Sequence, residues 1–193
     1  MQQVSLARDL GVSQPRISQI MRLLASHGIE IEHLDDADQR RRLVDLYVVS
    51  YRPAVVSESL FYGLDSPYEQ IAKVVRVARH QSVDVAVSAD LAHDLIAPWR
   101  TPTLTVVYTD SPLDIKSGPF VPAMARGEAT LIVRHVSDTS LLELWPTQQG
   151  DPPVVHPVQQ VWDLIDLGGE DRLEAAERII EWLLDRMPNN HMG

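Results

Sequence analysis

The pattern that most narrows the fold lies near the start of the chain, where a helical period runs, halts once at Gly11-Val12-Ser13, and resumes. Residues 5–10 are enough for about two helical turns. Gly11 then closes them, because glycine tolerates the positive φ found just past a helix end. Ser13 is a good N-cap residue, since its hydroxyl can accept from the free amides of the next turn. Pro15 falls inside that first turn, where a missing N–H is harmless. The period continues to His27 and stops at Gly28, with Ile17, Ile20, Met21 and Leu24 in an i, i+3, i+4, i+7 set. Two helices joined by so short a turn form a corner with the proportions of a helix-turn-helix.

The second helix of such a corner enters the DNA major groove with its N-terminal residues leading. Pro15, Ser18, Gln19 and Arg22 stand opposite the apolar stripe, with Arg16 on the flank. Together with Ser13 and Gln14 at the tip, these are the candidate DNA-binding residues of the helix. Arginine can fork to guanine and glutamine to adenine, while serine can take a phosphate or a base edge. The competing reading is an amphipathic hairpin that touches no DNA. Gly-Val-Ser followed by Gln-Pro-Arg-Ile-Ser is more particular than amphipathicity requires, and this favours the DNA reading.

Next come residues 29–34, an acidic turn (Asp35-Asp36-Ala37-Asp38), and residues 42–49. The spacing suits a two-stranded β-ribbon. Arg40, Arg41 and Arg42 would then sit just past its turn, as a wing tip offering positive charge to phosphates. They can equally pair with Asp35, Asp36 and Asp38, and both readings can hold at once. In this stretch the sequence resembles the winged helix of MarR-type regulators, whose wing carries a similar Asp-rich, Arg-rich pattern before a Leu-Val-x-Leu strand. Here that strand reads Leu43-Val44-Asp45-Leu46. A complete winged helix has one more helix before this pair, whereas only Met1 to Val4 precede Ser5. The expectation for residues 1–50 is a truncated winged helix-turn-helix whose uncovered apolar side invites a partner or a homodimer mate.

Residues 48–66 lose clear periodicity and gather turn residues (Arg52-Pro53, Gly63, Ser66-Pro67), so residues 51–65 read as a linker. Beyond them, helices and strands alternate. Ser66-Pro67-Tyr68-Glu69 is a capping box, opening a helix with Ile71, Val74, Val75 and Ala78 on one face. Residues 83–87, 103–108 and 129–135 read as strands, and Ser88 as the cap of a short helix ended by Pro98. Pro157 starts a helix with Val158, Val161, Trp162 and Ile165 inward, and Gly168-Gly169 breaks it. The last helix carries Leu173, Ala176, Ile180, Leu183 and Leu184 on one stripe and stops before Pro188. The fold class is thus α/β (α+β), a truncated winged helix-turn-helix followed by a larger α/β domain of mixed connectivity over residues 66–193.

Chemistry is scarce. The chain has no cysteine, which excludes disulfides, thiolate catalysis and cysteine zinc sites. Its 7 histidines (27, 33, 80, 93, 135, 156 and 191) show no zinc spacing, and there is no GxSxG elbow, P-loop or GxGxxG. Ser88 and Asp90 after a strand faintly resemble a nucleotidyltransferase site, but the Gly-Ser pair and the further carboxylates are lacking. His93-Asp94 reads as a surface pair. Trp99, Trp145, Trp162 and Trp182 fall on different elements and read as anchors in a core or interface. The expectation is a non-enzyme with no cofactor and no metal.

No apolar run approaches the roughly 20 residues of a membrane span. The first residues lack the basic and apolar regions of a signal peptide, so the expected location is the cytoplasm. The net charge of -10 is unevenly spread. Residues 1–28 carry Arg8, Arg16 and Arg22 against Asp9, whereas residues 51–193 carry 11 basic and 20 acidic residues. The acidic part would repel DNA and could suit a basic protein, or be simply a soluble surface.

Residues 66–79, then Asp84-Val-Ala-Val-Ser-Ala-Asp-Leu-Ala, then Pro102-Thr-Leu-Thr-Val-Val-Tyr, resemble the C-terminal domain of AbiEi-family antitoxins. So does Val155-His-Pro-Val-Gln-Gln-Val-Trp-Asp-Leu-Ile-Asp-Leu-Gly-Gly, followed by Glu174-Ala-Ala-Glu-Arg. Pro157, Gln159, Asp163, Leu164 and Gly168-Gly169 are the most specific part. The resemblance implies an antitoxin that binds and neutralises a nucleotidyltransferase-like toxin encoded beside it. It also implies repression of the shared operon through operator DNA, with no catalytic site. The alternative is a stand-alone winged-helix transcriptional regulator whose second domain senses a ligand or dimerises. An enzyme is the third reading, and no constellation supports it.

Overall fold

The computed structural model describes residues 3–98, 100–115 and 118–186. The chain divides into two compact units, one of residues 1–51 with 182–193 and one of residues 52–181.

The smaller unit holds α1 (Gln3–Asp9), α2 (Gln14–Ser26) and α3 (Ala37–Ser50). The corner between α1 and α2 forms as the spacing predicts. Gly11 takes φ +63°, and the Val12 amide donates back to the Ala7 carbonyl. Ser13 occupies the N-cap, but its hydroxyl makes no capping bond; the Arg16 and Ile17 amides donate to its backbone carbonyl instead. Ile17 and Leu24 are buried, Met21 is half-buried and Ile20 faces solvent, so α2 uses only part of its expected apolar stripe.

The expected β-ribbon does not form. Residues 29–49 instead make a 3-10 turn (Ile31–His33) and α3. The Asp36 carboxylate accepts from the Asp38 amide at 3.0 Å, and the Arg40 amide bonds to the Asp36 carbonyl. An aspartate N-cap with another aspartate in the first turn is a helix-start signal. Behind it, Gln39, the arginines and Leu43 are strong helix formers. The acidic cluster is thus a cap, not a hairpin turn.

The larger unit holds β1 (Val55–Tyr62), α4 (Pro67–Gln81), β2 (Val85–Ser88), α5 (Ala89–Ile96) and β3 (Thr105–Thr109). These are followed by β4 (Val121–Pro122), β5 (Leu131–Val136), α6 (Pro157–Leu167) and α7 (Glu170–Arg186), whose residues from Trp182 onward belong to the smaller unit. The sheet runs β2-β3-β5-β1-β4; β3 and β5 are parallel and the other pairs antiparallel. This is a mixed α+β fold. The stretch read as a linker contains β1, paired on one side with β5 and on the other with β4. Its Ser57-Glu58-Ser59 centre hid it, because polar residues there blur the alternation expected of a strand.

Register and the period of two sort the side chains onto two faces. Val87, Val107, Val133 and Phe61 pack in one core with Ile71 and Val74 of α4. On the other face, Ala86, Tyr108, Arg134 and Glu58 stand in one row across four strands. The capping box of α4 is present: the Ser66 hydroxyl accepts from the Glu69 amide, and Glu69 accepts from the Ser66 amide. In α6 the inward face is rotated from the expected one. Gln159, Val161, Trp162, Asp163 and Leu164 are buried, whereas Ile165 is 37% exposed. Polar partners on the sheet draw Gln159 and Asp163 inward. In α7, Ala175, Ala176, Ile179, Ile180 and Leu183 are buried, and Leu173 is 49% exposed.

Candidate nucleic-acid interface and a buried polar network

Helix α2 is anchored by Ile17 and Leu24, which fixes what it shows to solvent. Ser13, Gln14, Pro15, Arg16, Gln19 and Arg22 are exposed and Ser18 is half-buried. The Arg22 Nε donates to the Ser18 carbonyl at 3.2 Å, a local bond that leaves the rest of its guanidinium outward. The side chains of Arg16 and Gln19 make no hydrogen bond or ion pair among the described residues. Apart from Ser18, the sequence-predicted residues of this helix are thus open to solvent.

The three arginines after it are not a wing tip. Consecutive helical residues are about 100° apart, so α3 sends the three in different directions. Arg40 is 5% exposed and donates to the carbonyls of Leu34 (3.0 Å), Asp35 (2.8 Å) and Leu184 (3.2 Å). It is a structural cation of the smaller unit and is not available to phosphate. Arg41 pairs with Asp45 at 3.0 Å, one turn along α3. Arg42 is exposed, and its Nη1 donates to the Gly28 carbonyl at 3.3 Å. A cation suits the C-terminal end of α2. It lies about 20 Å from the Gln14–Arg16 tip at 1.5 Å per residue.

The larger unit encloses a polar network that sequence reasoning missed. Asp163, buried in α6, accepts from Ser88 Oγ (2.5 Å), Arg134 Nη1 (2.6 Å), Tyr108 OH (2.7 Å) and Gln159 Nε2 (3.3 Å). Arg134 also donates to Glu58 (2.9 Å) and Asp166 (3.0 Å), and Arg126 closes the ring from outside by bonding both acids. Trp162 and Tyr108 lay their rings 5.8 and 5.9 Å from the Arg134 guanidinium. Burial pushes the Asp163 carboxyl up, opposed by Arg134 and the neutral donors. Burial also pushes the Tyr108 phenol up, as does the Asp163 charge. For Glu58, burial acts upward, but its bonds to Arg126 and Arg134 win and hold the carboxyl low. The row Tyr108–Arg134–Glu58 is set by strand register, and α6 brings Asp163 onto it. The sequence signal was Arg134 itself, a charge inside the apolar run Leu-Ile-Val-Arg-His-Val of a central strand, where it must find a partner.

Ser88 and Asp90, considered above as a pair, diverge. Ala89 between them takes φ +63°, unusual for a residue with a Cβ. Ser88 stands at the N-cap of α5 without capping it, because its hydroxyl is engaged by Asp163. Asp90 turns the other way and accepts from Arg172 (2.9 and 3.2 Å), Arg100 (3.3 Å), Thr103 Oγ1 (2.9 Å) and the Leu104 amide (3.1 Å). Burial pushes its carboxyl up, but the Arg172 contact and the other donors win and hold it below the ordinary value. The two acids thus tie the junction between β2 and α5 to α6 and α7.

His93 is no surface pair: it is 2% exposed, and its Nε2 has no partner in the described structure. Burial holds its pKa low. Asp94 instead accepts from the Tyr68 hydroxyl at 2.5 Å, and burial together with that bond pushes the phenol up to about 12. Trp145 meets the His156 ring edge-on at 4.9 Å, Trp162 is buried, and Trp99 lies outside the described residues. Among the described residues no group of three or more His, Cys, Asp or Glu is placed to hold a metal ion. No helix among them is long and apolar enough to cross a membrane. The chain matches no family model, no curated protein and no solved structure.

Proposed function

We propose that this chain is an AbiEi-like antitoxin, a cytoplasmic, non-enzymatic regulator. In this reading the smaller unit binds operator DNA through α2, and the larger unit binds and neutralises a nucleotidyltransferase-like toxin. The observation that carries the DNA half is the outward set Gln14, Pro15, Arg16, Gln19 and Arg22 on a helix held from behind by Ile17 and Leu24. The residue types are those that read base edges, and none of the long ones is engaged by another side chain in an ion pair among the described residues. With Arg40 buried, phosphate contacts fall to Arg16, Arg22 and Arg42. The toxin half is supported by the sequence resemblance of the larger unit.

Two measurements test the halves separately. Fluorescence anisotropy with duplexes from upstream of the gene should show tighter binding than scrambled duplexes. In Arg16→Ala with Gln19→Ala the preference should shrink by about 1–3 kcal/mol per lost base contact, leaving salt-sensitive non-specific binding. Equal affinity of the unaltered protein for both duplexes overturns the DNA half. Copurification from native lysate should recover the product of the adjacent gene. Upstream binding without that partner would point to the stand-alone regulator.

A further inference from the structure

In the larger unit the arginines of α4 differ from the other described cations. Lys73 pairs with Asp65, Arg100 and Arg172 with Asp90, Arg126 and Arg134 with Glu58, and Arg178 with Glu174. Arg76 and Arg79 are exposed, and their side chains make no hydrogen bond or ion pair among the described residues. This occurs in a chain with 27 acidic residues against 17 basic ones. Arg79 sits in the last turn of α4, where the negative helix end favours a cation. Arg76 lies one turn earlier, and like charges at i, i+3 repel.

Both arginines border a trough between α4 and residues 142–153, made of two adjoining hollows of about 310 and 360 Å³. The hollows share Val75, Arg79 and Pro153, and Arg76 lines the second. Their walls are polar and apolar in about equal part, the apolar part formed by Ile71 and Val75 on the helix side and by Leu144 and Pro152 opposite, with Leu144 54% exposed. Asp84 and Asp151 also line the hollows, and the Asp151 carboxylate accepts from the Gln148 amide at 3.0 Å.

We propose that this trough docks an extended acidic segment of a partner protein, with Arg76 and Arg79 receiving its carboxylates and Val75, Leu144 and Pro153 seating its apolar side chains. The inference rests on the reading that the larger unit binds a protein. Charge complementarity selects the occupant: guanidinium forks match carboxylates, and aliphatic walls match aliphatic side chains. A nucleic acid would match the arginines too. It would bring no aliphatic side chain to Val75, Leu144 and Pro153.

The test uses the full chain and a short labelled peptide of alternating glutamate and leucine, followed by anisotropy. Binding should weaken about tenfold in R76E/R79E and by a smaller factor in R76Q/R79Q. It should be lost with glutamine replacing glutamate in the peptide. Both arginines are exposed, so the melting temperature of each variant should match the parent. Equal peptide affinity in R76E/R79E, or displacement of the peptide by oligothymidylate, overturns the proposal. Copurification separates this failure from failure of the antitoxin reading. If R76E/R79E still retains the adjacent gene's product, the trough is wrong and the toxin partner stands. If the peptide binds through both arginines but no toxin copurifies, the trough stands and the toxin reading fails.

Discussion

Arg16 and Arg134 are both guanidiniums on regular elements, one in each unit, and their surroundings differ as far as two arginines' can. Arg16 lies on the outer face of a helix and has no partner among the described residues. Arg134 lies in the central strand, 1% exposed, with three carboxylates bonded to it. In the larger unit most described charge is consumed by the fold itself. In α2 it is left outward. A cation already satisfied inside a protein has little to offer a ligand, because a new contact must first break the old one. The arginines that the fold leaves wholly or partly outward include Arg16, Arg22 and Arg42 in the smaller unit and Arg76 and Arg79 on α4.

The strongest challenge to this contrast is Arg134→Ala. It leaves Asp163 buried without its cation and should cost about 3–5 kcal/mol. Urea denaturation followed by tryptophan fluorescence reads the loss directly. Arg134→Met combined with Asp163→Leu should recover most of it, since a buried pair replaced by apolar groups of similar size is often neutral. A loss below about 1 kcal/mol for Arg134→Ala would mean the network does not hold α6 to the sheet.

Within the smaller unit, Arg40→Ala and Arg42→Ala sharpen the same contrast at smaller scale. Removing Arg40 strips the donor from three carbonyls and should cost about 2–3 kcal/mol. Removing the exposed Arg42 should stay within about 0.5 kcal/mol. In DNA binding the order should reverse: Arg42→Ala flattens the salt dependence, and Arg40→Ala leaves it unchanged in the folded protein. Equal stability effects would remove the distinction between the two positions.

The mildest effect is a pH dependence set by the buried His93 and the more exposed His156. His93 has its folded pKa below the ordinary 6.5, chiefly through burial. Above that value neither the folded nor the unfolded chain binds the proton. As pH falls below it the unfolded chain protonates first, so stability declines until the folded value is passed. His156 is lowered too, by burial, and its Nδ1 accepts from the Val158 amide at 3.2 Å, so it acts with the same sign. Asp90 is depressed as well, but its contribution is present above 3.8 and is lost only as pH falls through its lower folded value. Denaturation midpoints should fall from pH 7 toward pH 5 in the parent. They should flatten in part with His93→Leu and further when His156→Asn, which keeps an acceptor at the cap, is added. An unchanged slope in the double variant would assign the dependence elsewhere.

The residues on which the sequence reading rested its expected AbiEi resemblance have structural roles in the fold. Pro157 opens α6, Gln159 and Asp163 enter the buried network, Leu164 is in the core, and Gly168 and Gly169 take φ +71° and +97° to end the helix. These are the residues that build the larger unit. The trough beside Arg76 and Arg79 was invisible in the sequence, because it needs residues 142–153 brought against α4.

The sequence by itself determined the local signals. Gly11 and Ser13 marked the corner, Pro15 and Gly28 bounded α2, Ser66 with Glu69 capped α4, and the apolar runs marked β3 and β5. Each depends on backbone preferences and periodicity that act over a few residues. It misjudged the Asp35–Arg42 stretch because a helix cap and a hairpin turn use the same acidic residues. Only the tertiary structure decided which charges remain free. Strand register set Tyr108, Arg134 and Glu58 in one row, and α6 supplied Asp163 from 29 positions downstream. The fate of a charged side chain depends on what the rest of the chain brings within hydrogen-bonding distance, and such pairings have no local sequence signature.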